Sequence, residues 1–133
     1  MVLLIDTSVI VAVERSAGSP TTLLERLGDS EIAISAMTAS ELLHGVHRAE
    51  GAWRRGSRER FVEEIFADVP VIPFDLQVAR VHSRIWADLK MQGQMIGAHD
   101  LIIAATALAH GFHLITGNSR ELGRVEGLEM TVW

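Results

Sequence analysis

Short apolar runs alternate along this chain with longer segments in which apolar residues recur at helical spacing. The runs favour β-strands because they are rich in branched residues and are bounded by polar or turn-forming residues. They cover residues 2–5, 32–34, 69–73, 112–115 and 128–133. Because strands alternate with helices, the pattern predicts an α/β fold, a parallel sheet with helices on both faces.

The segments with helical spacing predict six helices, and several have recognisable ends. The first ends near Gly18, which can adopt a left-handed cap. Ser19 and Pro20 then open a second helix as cap and first residue. Thr38 and Glu41 have the spacing of a capping box, so residues 35–38 are expected to form a loop before a helix. The predicted helices after the first cover residues 20–27, 39–50, 53–67, 76–92 and 98–110.

Length and composition narrow the possible classes of protein. A chain of 133 residues with 48% hydrophobic and 22% charged residues fits one globular domain, residues 1–133. The absence of cysteine excludes disulfides, zinc–thiolate sites and thiol nucleophiles. No apolar stretch reaches the roughly 18 residues that span a membrane, and the first run is too short for a signal peptide. We therefore expect a soluble, cytoplasmic protein with no membrane contact.

Candidate chemistry begins with polar residues at the ends of these elements. Asp6 ends the first strand, and Glu41 and Asp100 lie in the first turns of two predicted helices. Asn118 follows the strand at 112–115. Each acid could simply cap a helix or interact favourably with the positive end of the helix dipole. Asp100 fits that explanation least, because the helix around it is apolar almost all round, and buried carboxylates are rare unless they are paired or bind metal.

Four segments together give the chain a family resemblance: Ile5-Asp6-Thr7-Ser8, Ser40-Glu41-Leu42, His99-Asp100-Leu101-Ile102-Ile103-Ala104-Ala105, and Thr116-Gly117-Asn118 followed by Arg120-Glu121-Leu122. In order and spacing they resemble PIN-domain ribonucleases, and within them the toxin component of VapBC-type toxin–antitoxin pairs. The resemblance covers the whole chain. It implies a PIN-like parallel sheet.

The resemblance also implies roles for particular residues. Asp6, Glu41 and Asp100 match the acidic metal-binding and catalytic positions of the family. Asn118 matches the fourth site position, which many members fill with aspartate, so the chain departs from the acidic version there. Further residues that match positions near the site are Ser8, Thr116 and Glu121, of which Glu121 could compensate for the missing acid.

The chemistry of such a cluster can be stated without the family. Several carboxylates held together repel one another unless a cation neutralises them. Oxygen ligands without cysteine or a histidine cluster favour Mg²⁺, for which Mn²⁺ can substitute, over zinc. A water on such an ion can attack a phosphodiester while the ion stabilises charge on the phosphate. A formal net charge of −5 is compatible with nucleic-acid binding if the acids are gathered at this metal site.

The resemblance implies an endoribonuclease toxin of a type II system, which leaves a 3′-hydroxyl and a 5′-phosphate. It implies a VapB-type antitoxin as partner and RNA as substrate, with loops of tRNA or rRNA as natural targets because their bases are accessible. We also expect a homodimer. Two alternatives remain: a catalytically inactive PIN-fold binding module, and a Mg²⁺-dependent phosphohydrolase of the aspartyl-phosphate type. The second would use Asp6 as nucleophile, but Ser8 stands where that chemistry usually has another aspartate.

Two further patterns allow competing interpretations. Glu41-x-x-His44 has the spacing of di-iron bundles, but those sites need a second such motif, and the chain has none. The helix at 53–67 carries the only concentration of basic residues, including Arg54, Arg55 and Arg58 beside Trp53. It is either a phosphate-binding ridge for RNA or a solvated face whose arginines pair with glutamates of the same helix.

Overall fold

Five parallel strands form one sheet in the computed structural model, which describes all 133 residues. Its order is β3-β2-β1-β4-β5, and every neighbouring pair is parallel. β1 is central, with Leu4 opposite Ala33 on one side and Leu114 on the other. The strands are β1 (Val2–Ile5), β2 (Glu31–Ser35), β3 (Val71–Ile72), β4 (His113–Thr116) and β5 (Met130–Val132).

Seven helices connect these strands. They are α1 (Thr7–Arg15), α2 (Pro20–Leu27), α3 (Ala36–Arg48), α4 (Ala52–Asp68), α5 (Leu76–Met91), α6 (Ala98–His110) and α7 (Ser119–Leu122).

The helices cover both faces of the sheet, as predicted. Side chains of β1 alternate between two hydrophobic clusters: Leu3 and Ile5 pack with α1 to α4, whereas Leu4 packs with α5 to α7. The helix predicted to be buried, α6, has Ile103 and the alanines at 104, 105 and 107 almost fully enclosed. These small side chains let the helix lie close to its neighbours, so its first turn is held firmly beside the carboxyl ends of the strands.

The predicted start of the third helix is wrong by three residues. α3 begins at Ala36, and Ser35 is its cap, since the Ser35 Oγ accepts a hydrogen bond of 3.0 Å from the Thr38 backbone N–H. Thr38 therefore lies inside the helix and is buried. Glu41 consequently stands in the second turn, where interaction with the helix dipole is weaker. Its placement needs another explanation.

Three smaller predictions also differ from the structure. The left-handed residue after α1 is Ala17, with φ 57°, and not Gly18. Gly18 is needed for space, because a Cβ there would lie 2.9 Å from the Val13 backbone oxygen.

The third strand contains only Val71 and Ile72, and the fifth is shorter than predicted. α7 was not predicted, because four residues are too few to show a helical period. No helix has both the length and the apolar character needed to cross a membrane.

Candidate active site

The central strand and its neighbour bring two polar residues to one edge of the sheet. β1 and β4 are paired with Ile5 opposite Ile115, and each strand ends just after this pair. The Asp6 backbone N–H donates to the Ile115 carbonyl over 2.9 Å, which fixes Asp6 at the strand end. Asn118 follows β4 at the same edge. Open α/β sheets bind their ligands at this edge.

The side chain of Asp6 is held by two hydroxyl groups and does not cap α1. It occupies the N-cap position of α1, yet its side chain makes no capping hydrogen bond. Instead its Oδ2 accepts hydrogen bonds from Ser8 Oγ at 2.6 Å and from Thr116 Oγ1 at 2.8 Å. Asp6 is only 3% exposed. The capping interpretation is therefore wrong, and both hydroxyl residues named from the sequence contact the first acid.

The segment after β4 is locked to the first helix. The Asn118 backbone N–H donates to Thr116 Oγ1 over 2.9 Å, so one buried hydroxyl connects Asp6 with the Asn118 backbone. The Gly117 N–H donates to Ser8 Oγ over 3.0 Å. A Cβ at Gly117 would lie 3.4 Å from that oxygen, so a larger residue would crowd the contact.

Asp100 stands among other acids, as the sequence predicted. Its Oδ2 accepts a hydrogen bond of 2.9 Å from Asn118 Nδ2. Burial raises the pKa of Asp100 most, and with the negative charges of Asp6, Glu121 and Glu41 it brings the pKa to about 6. Three acids from separate segments of the chain thus act on Asp100.

Glu41 is oriented by residues outside its own helix. Thr7 Oγ1 donates to Glu41 Oε1 over 2.7 Å and lies 3.0 Å from Thr38 Oγ1. His99 Nδ1 lies 3.4 Å from Glu41 Oε2, and the His99 side chain is largely exposed. The orientation of Glu41 therefore depends on these contacts and not on a place in the first turn of its helix. They attach Glu41 to α1 and to the start of α6, next to Asp100.

Two residues at this site were not singled out from the sequence. Gly97 lies beside two of the acids, since a Cβ built on it would be 3.9 Å from both Asp100 Oδ2 and Glu121 Oε2. Thr7 enters the sequence analysis only as part of the segment Ile5-Asp6-Thr7-Ser8, whereas in the structure it orients Glu41. The signal available for Gly97 was its place before a helix whose first turn carries Asp100. The contact of Thr7 spans 34 positions and leaves no local pattern.

The three candidate RNA-binding arginines of α4 have different surroundings. Arg58 forms an ion pair with Glu14 over 3.1 Å and donates to the Gly45 carbonyl. Arg55 donates to the Ala49 carbonyl over 3.3 Å, and Arg54 makes no such contact and is exposed. The predicted ion pairs with glutamates of the same helix do not form.

The model of the PIN domain family matches residues 3–128. The chain belongs to this family. Ribonuclease VapC1 of Rickettsia felis is 38% identical over 130 residues, which cover 98% of this chain and 95% of the relative. The tRNA(fMet)-specific endonuclease VapC of Shigella flexneri is 28% identical over 132 residues, which cover 98% of this chain and 96% of the relative. These similarities place this PIN domain among the VapC proteins.

Solved structures of toxin–antitoxin complexes share the fold. VapBC2 from Rickettsia felis, bound to a DNA fragment of its promoter, aligns with a TM-score of 0.89 at 24% identity, covering 100% of this chain and 99% of the other. DNA-bound VapBC from Salmonella typhimurium aligns with a TM-score of 0.88 at 25% identity, and the alignment covers 100% of this chain and 98% of the other. The five-stranded parallel sheet is therefore that of PIN-domain VapC proteins.

The side chains of this PIN domain suit a hard divalent cation by their chemistry. Asp6, Glu41, Asp100 and Glu121 supply only oxygen donors, which Mg²⁺ prefers. A cation would also relieve the repulsion that raises the pKa of Asp100. No three acidic or histidine side chains are grouped closely enough to hold a metal ion by themselves. Mg²⁺ usually keeps several waters and takes only one or two carboxylates, so it does not require such a group.

Proposed function

We propose that this VapC-type PIN domain is a Mg²⁺-dependent endoribonuclease and the toxin of a type II toxin–antitoxin system. The observation that carries the proposal is the raised pKa of Asp100 among three further carboxyl groups at the carboxyl edge of the sheet. Such a cluster is costly without a cation, and carboxylates with a divalent metal are the means by which many nucleases cleave phosphodiesters. The names of the VapC relatives support the ribonuclease class.

Asp6 and Asp100 would hold the ion, with Glu41 and Glu121 at the sides of the cluster. Mn²⁺ would substitute, because it accepts the same oxygen ligands. Bound there, the ion would stabilise negative charge on the phosphate and favour attack by water. Asn118 would hold Asp100 by its amide and leave the charged ligands to the acids, since a neutral amide binds Mg²⁺ weakly.

The chain's own contribution is to fix charged groups before the substrate arrives. Ser8 and Thr116 hold one oxygen of Asp6 at a strand end, where the backbone cannot shift. Thr7 holds one oxygen of Glu41 and leaves the other beside His99. His99 is exposed at the rim of this cluster, where a proton could pass between an approaching substrate and Glu41. Preorganised charges of this kind stabilise a transition state without reorganising during the reaction.

We infer that a VapB-type antitoxin silences this activity, since the structural neighbours include VapBC complexes. An acidic site is suited to inhibition by an arginine or lysine of the partner. The homodimer also remains a proposal. Its candidate face lies along α5, where the His82 ring contacts Trp86 and also Phe74, which stands just before the helix. Trp86 is 49% exposed, so its ring is accessible to a partner.

Cleavage of RNA by the purified protein tests this function. We expect activity with Mg²⁺ or Mn²⁺, loss of activity in EDTA, and poor support by Ca²⁺, which prefers more ligands at longer distances. Full activity in EDTA would exclude the metal mechanism. A metal-dependent nuclease that is harmless at high expression would exclude the toxin role alone. A protein that binds RNA without cleaving it under any metal would favour the inactive binding module, and phosphate trapped covalently on Asp6 would favour the aspartyl-phosphate alternative.

A further inference from the structure

A large aromatic side chain lies open at the start of α4. Trp53 is 79% exposed, which leaves the apolar face of its ring in contact with water. It lines a groove of about 670 Å³ between α1, the end of α3 and α4. The charged residues of this groove are Glu14, Arg48, Glu50, Arg54 and Arg58. An indole beside several guanidinium groups is suited to a ligand that combines flat rings with negative charge.

This groove adjoins a second one that reaches the acidic site. The second groove, of about 580 Å³, shares Glu14, Arg48 and Arg58 with the first and extends to Glu41 and His99. Because they share these residues, the two grooves adjoin each other. We call the surface that they line, from Glu41 to Trp53, the α4 track.

The charge along the α4 track is positive although the chain carries −5 overall. Arg58 and Glu14 neutralise each other in an ion pair. Arg48 and Arg54 are exposed and form no ion pair, and in the groove around Trp53 only Glu50 opposes them. The structure thus separates the arginines of this region: Arg58 is occupied within the protein, whereas Arg48 and Arg54 are available to a ligand.

We propose that the α4 track binds single-stranded RNA next to the scissile phosphate, with one base stacked on Trp53 and phosphates beside Arg48 and Arg54. This inference rests on the proposed ribonuclease function and names its substrate class. Stacking needs a base whose face is free, which a duplex does not offer. Arginines that contact phosphates position the strand without reading its sequence. An RNA loop or an unpaired end would satisfy both requirements.

A protein partner fits this groove less well. Only four of its eleven lining residues are hydrophobic. An amphipathic helix that docks in a groove needs a more continuous apolar lining.

Binding of a fluorescein-labelled single-stranded oligoribonucleotide to the full chain in EDTA tests the stacking contact. A gel must show that the RNA stays intact. We expect Trp53→Ala to weaken binding about tenfold, as loss of one stacked base does. Trp53→Phe keeps an aromatic face and should bind nearly as well as the wild type. Met91→Ala, which removes an equally exposed apolar side chain on α5, should bind unchanged.

Salt dependence tests the phosphate contacts separately. For single strands each lost phosphate contact lowers the slope of log K against log salt by about 0.7. Arg48→Gln and Arg54→Gln should each show this decrease, and Glu50→Gln should bind more tightly. Arg60→Gln is the matched control, because Arg60 is an exposed arginine of α4 that lines neither groove.

Cleavage kinetics distinguish this inference from the proposed function. Trp53→Ala should raise KM about tenfold and leave kcat unchanged, because the contact is remote from the reacting bond. If Trp53→Ala matches the wild type in both binding and KM, the α4 track is not an RNA path, while metal-dependent cleavage by the wild type would keep the ribonuclease. If the variant instead escapes a co-expressed antitoxin with unchanged RNA binding, the groove belongs to a protein partner and the inference is wrong.

Discussion

Asn118 donates a side-chain hydrogen bond of 2.9 Å to Asp100, and the two residues come from the end of β4 and the first turn of α6. This bond stabilises the charged form of Asp100 in a place where burial and three other acids oppose that charge. We therefore expect Asn118, at the position that resembles the family's fourth site position, to support Asp100 and not to bind the metal itself.

Asn118→Ala should lower RNA cleavage on the order of 10- to 100-fold, as the loss of a group that orients a metal ligand does. It should also raise the pKa of Asp100 further, because the donor to the charged form is gone. Carboxyl-carbon NMR titration without metal measures the second effect. Asn118→Asp is the contrasting variant: it should require less Mg²⁺ for half-maximal activity. Equal Mg²⁺ requirements for Asn118→Asp and wild type would argue against a site at this edge.

The contribution of Asp100 to the stability of the metal-free protein should fall as the pH rises from about 4 to about 6. The pKa of Asp100 is 3.8 in the reference state and about 6 in the fold, so the folded chain binds the proton more tightly in this interval. At pH 7 this contribution is lost, and Asp100→Asn should be more stable than wild type by about 1 kcal/mol after allowance for solvent screening.

Thermal unfolding across this pH range checks that prediction, with Asp88→Asn as control because Asp88 is an exposed aspartate of α5. Mg²⁺ should raise the Tm of the wild type and have little effect on Asp100→Asn, since only the wild type retains the charged ligand. A pH profile of Asp100→Asn that equals the wild-type profile would show that Asp100 does not carry the proton.

The variant Glu121→Gln tests whether the carboxylate of Glu121, on α7, compensates for the aspartate that many family members have at position 118. The negative charge of Glu121 helps to raise the pKa of Asp100. We expect the variant to need on the order of 10- to 100-fold more Mg²⁺ for half-maximal cleavage. The apparent affinity for Mg²⁺ in a cleavage assay is the readout. A normal Mg²⁺ requirement would leave Asp6, Glu41 and Asp100 as the whole charged site.

Thr7→Val should lower kcat less than Glu41→Gln does. Valine keeps the shape of threonine but removes the hydroxyl that donates to Glu41 over 2.7 Å, so Glu41 keeps its charge and loses its orientation. We expect a decrease on the order of tenfold. Thr7→Ser, which retains the hydroxyl, should restore most of the activity. A wild-type rate for Thr7→Val would show that Glu41 needs no support from α1.

The sequence predicts the sheet well because its strands leave local signals. Alternating apolar runs indicate the strands, and the apolar character of α6 identifies Asp100 as unusual. Contacts between distant segments leave no such signal. The ion pair of Arg58 with Glu14 spans 44 positions, so helical spacing directed the prediction to glutamates of α4 instead. The start of α3 was misplaced because Ser35 and Thr38 are both acceptable caps, and only the end of β2 decides between them.

Cleavage of RNA by Asp100→Asn at a saturating Mg²⁺ concentration for the wild type tests the central claim most directly. Asp6→Asn and Glu41→Gln belong in the same experiment, and circular dichroism should confirm that each variant is folded. We predict that Asp100→Asn and Asp6→Asn lose several orders of magnitude in rate and that Glu41→Gln is largely inactive, because each removes a charge that no neighbour can replace. Normal cleavage by a folded Asp100→Asn would contradict the account, since the carboxylates would then not act together on RNA.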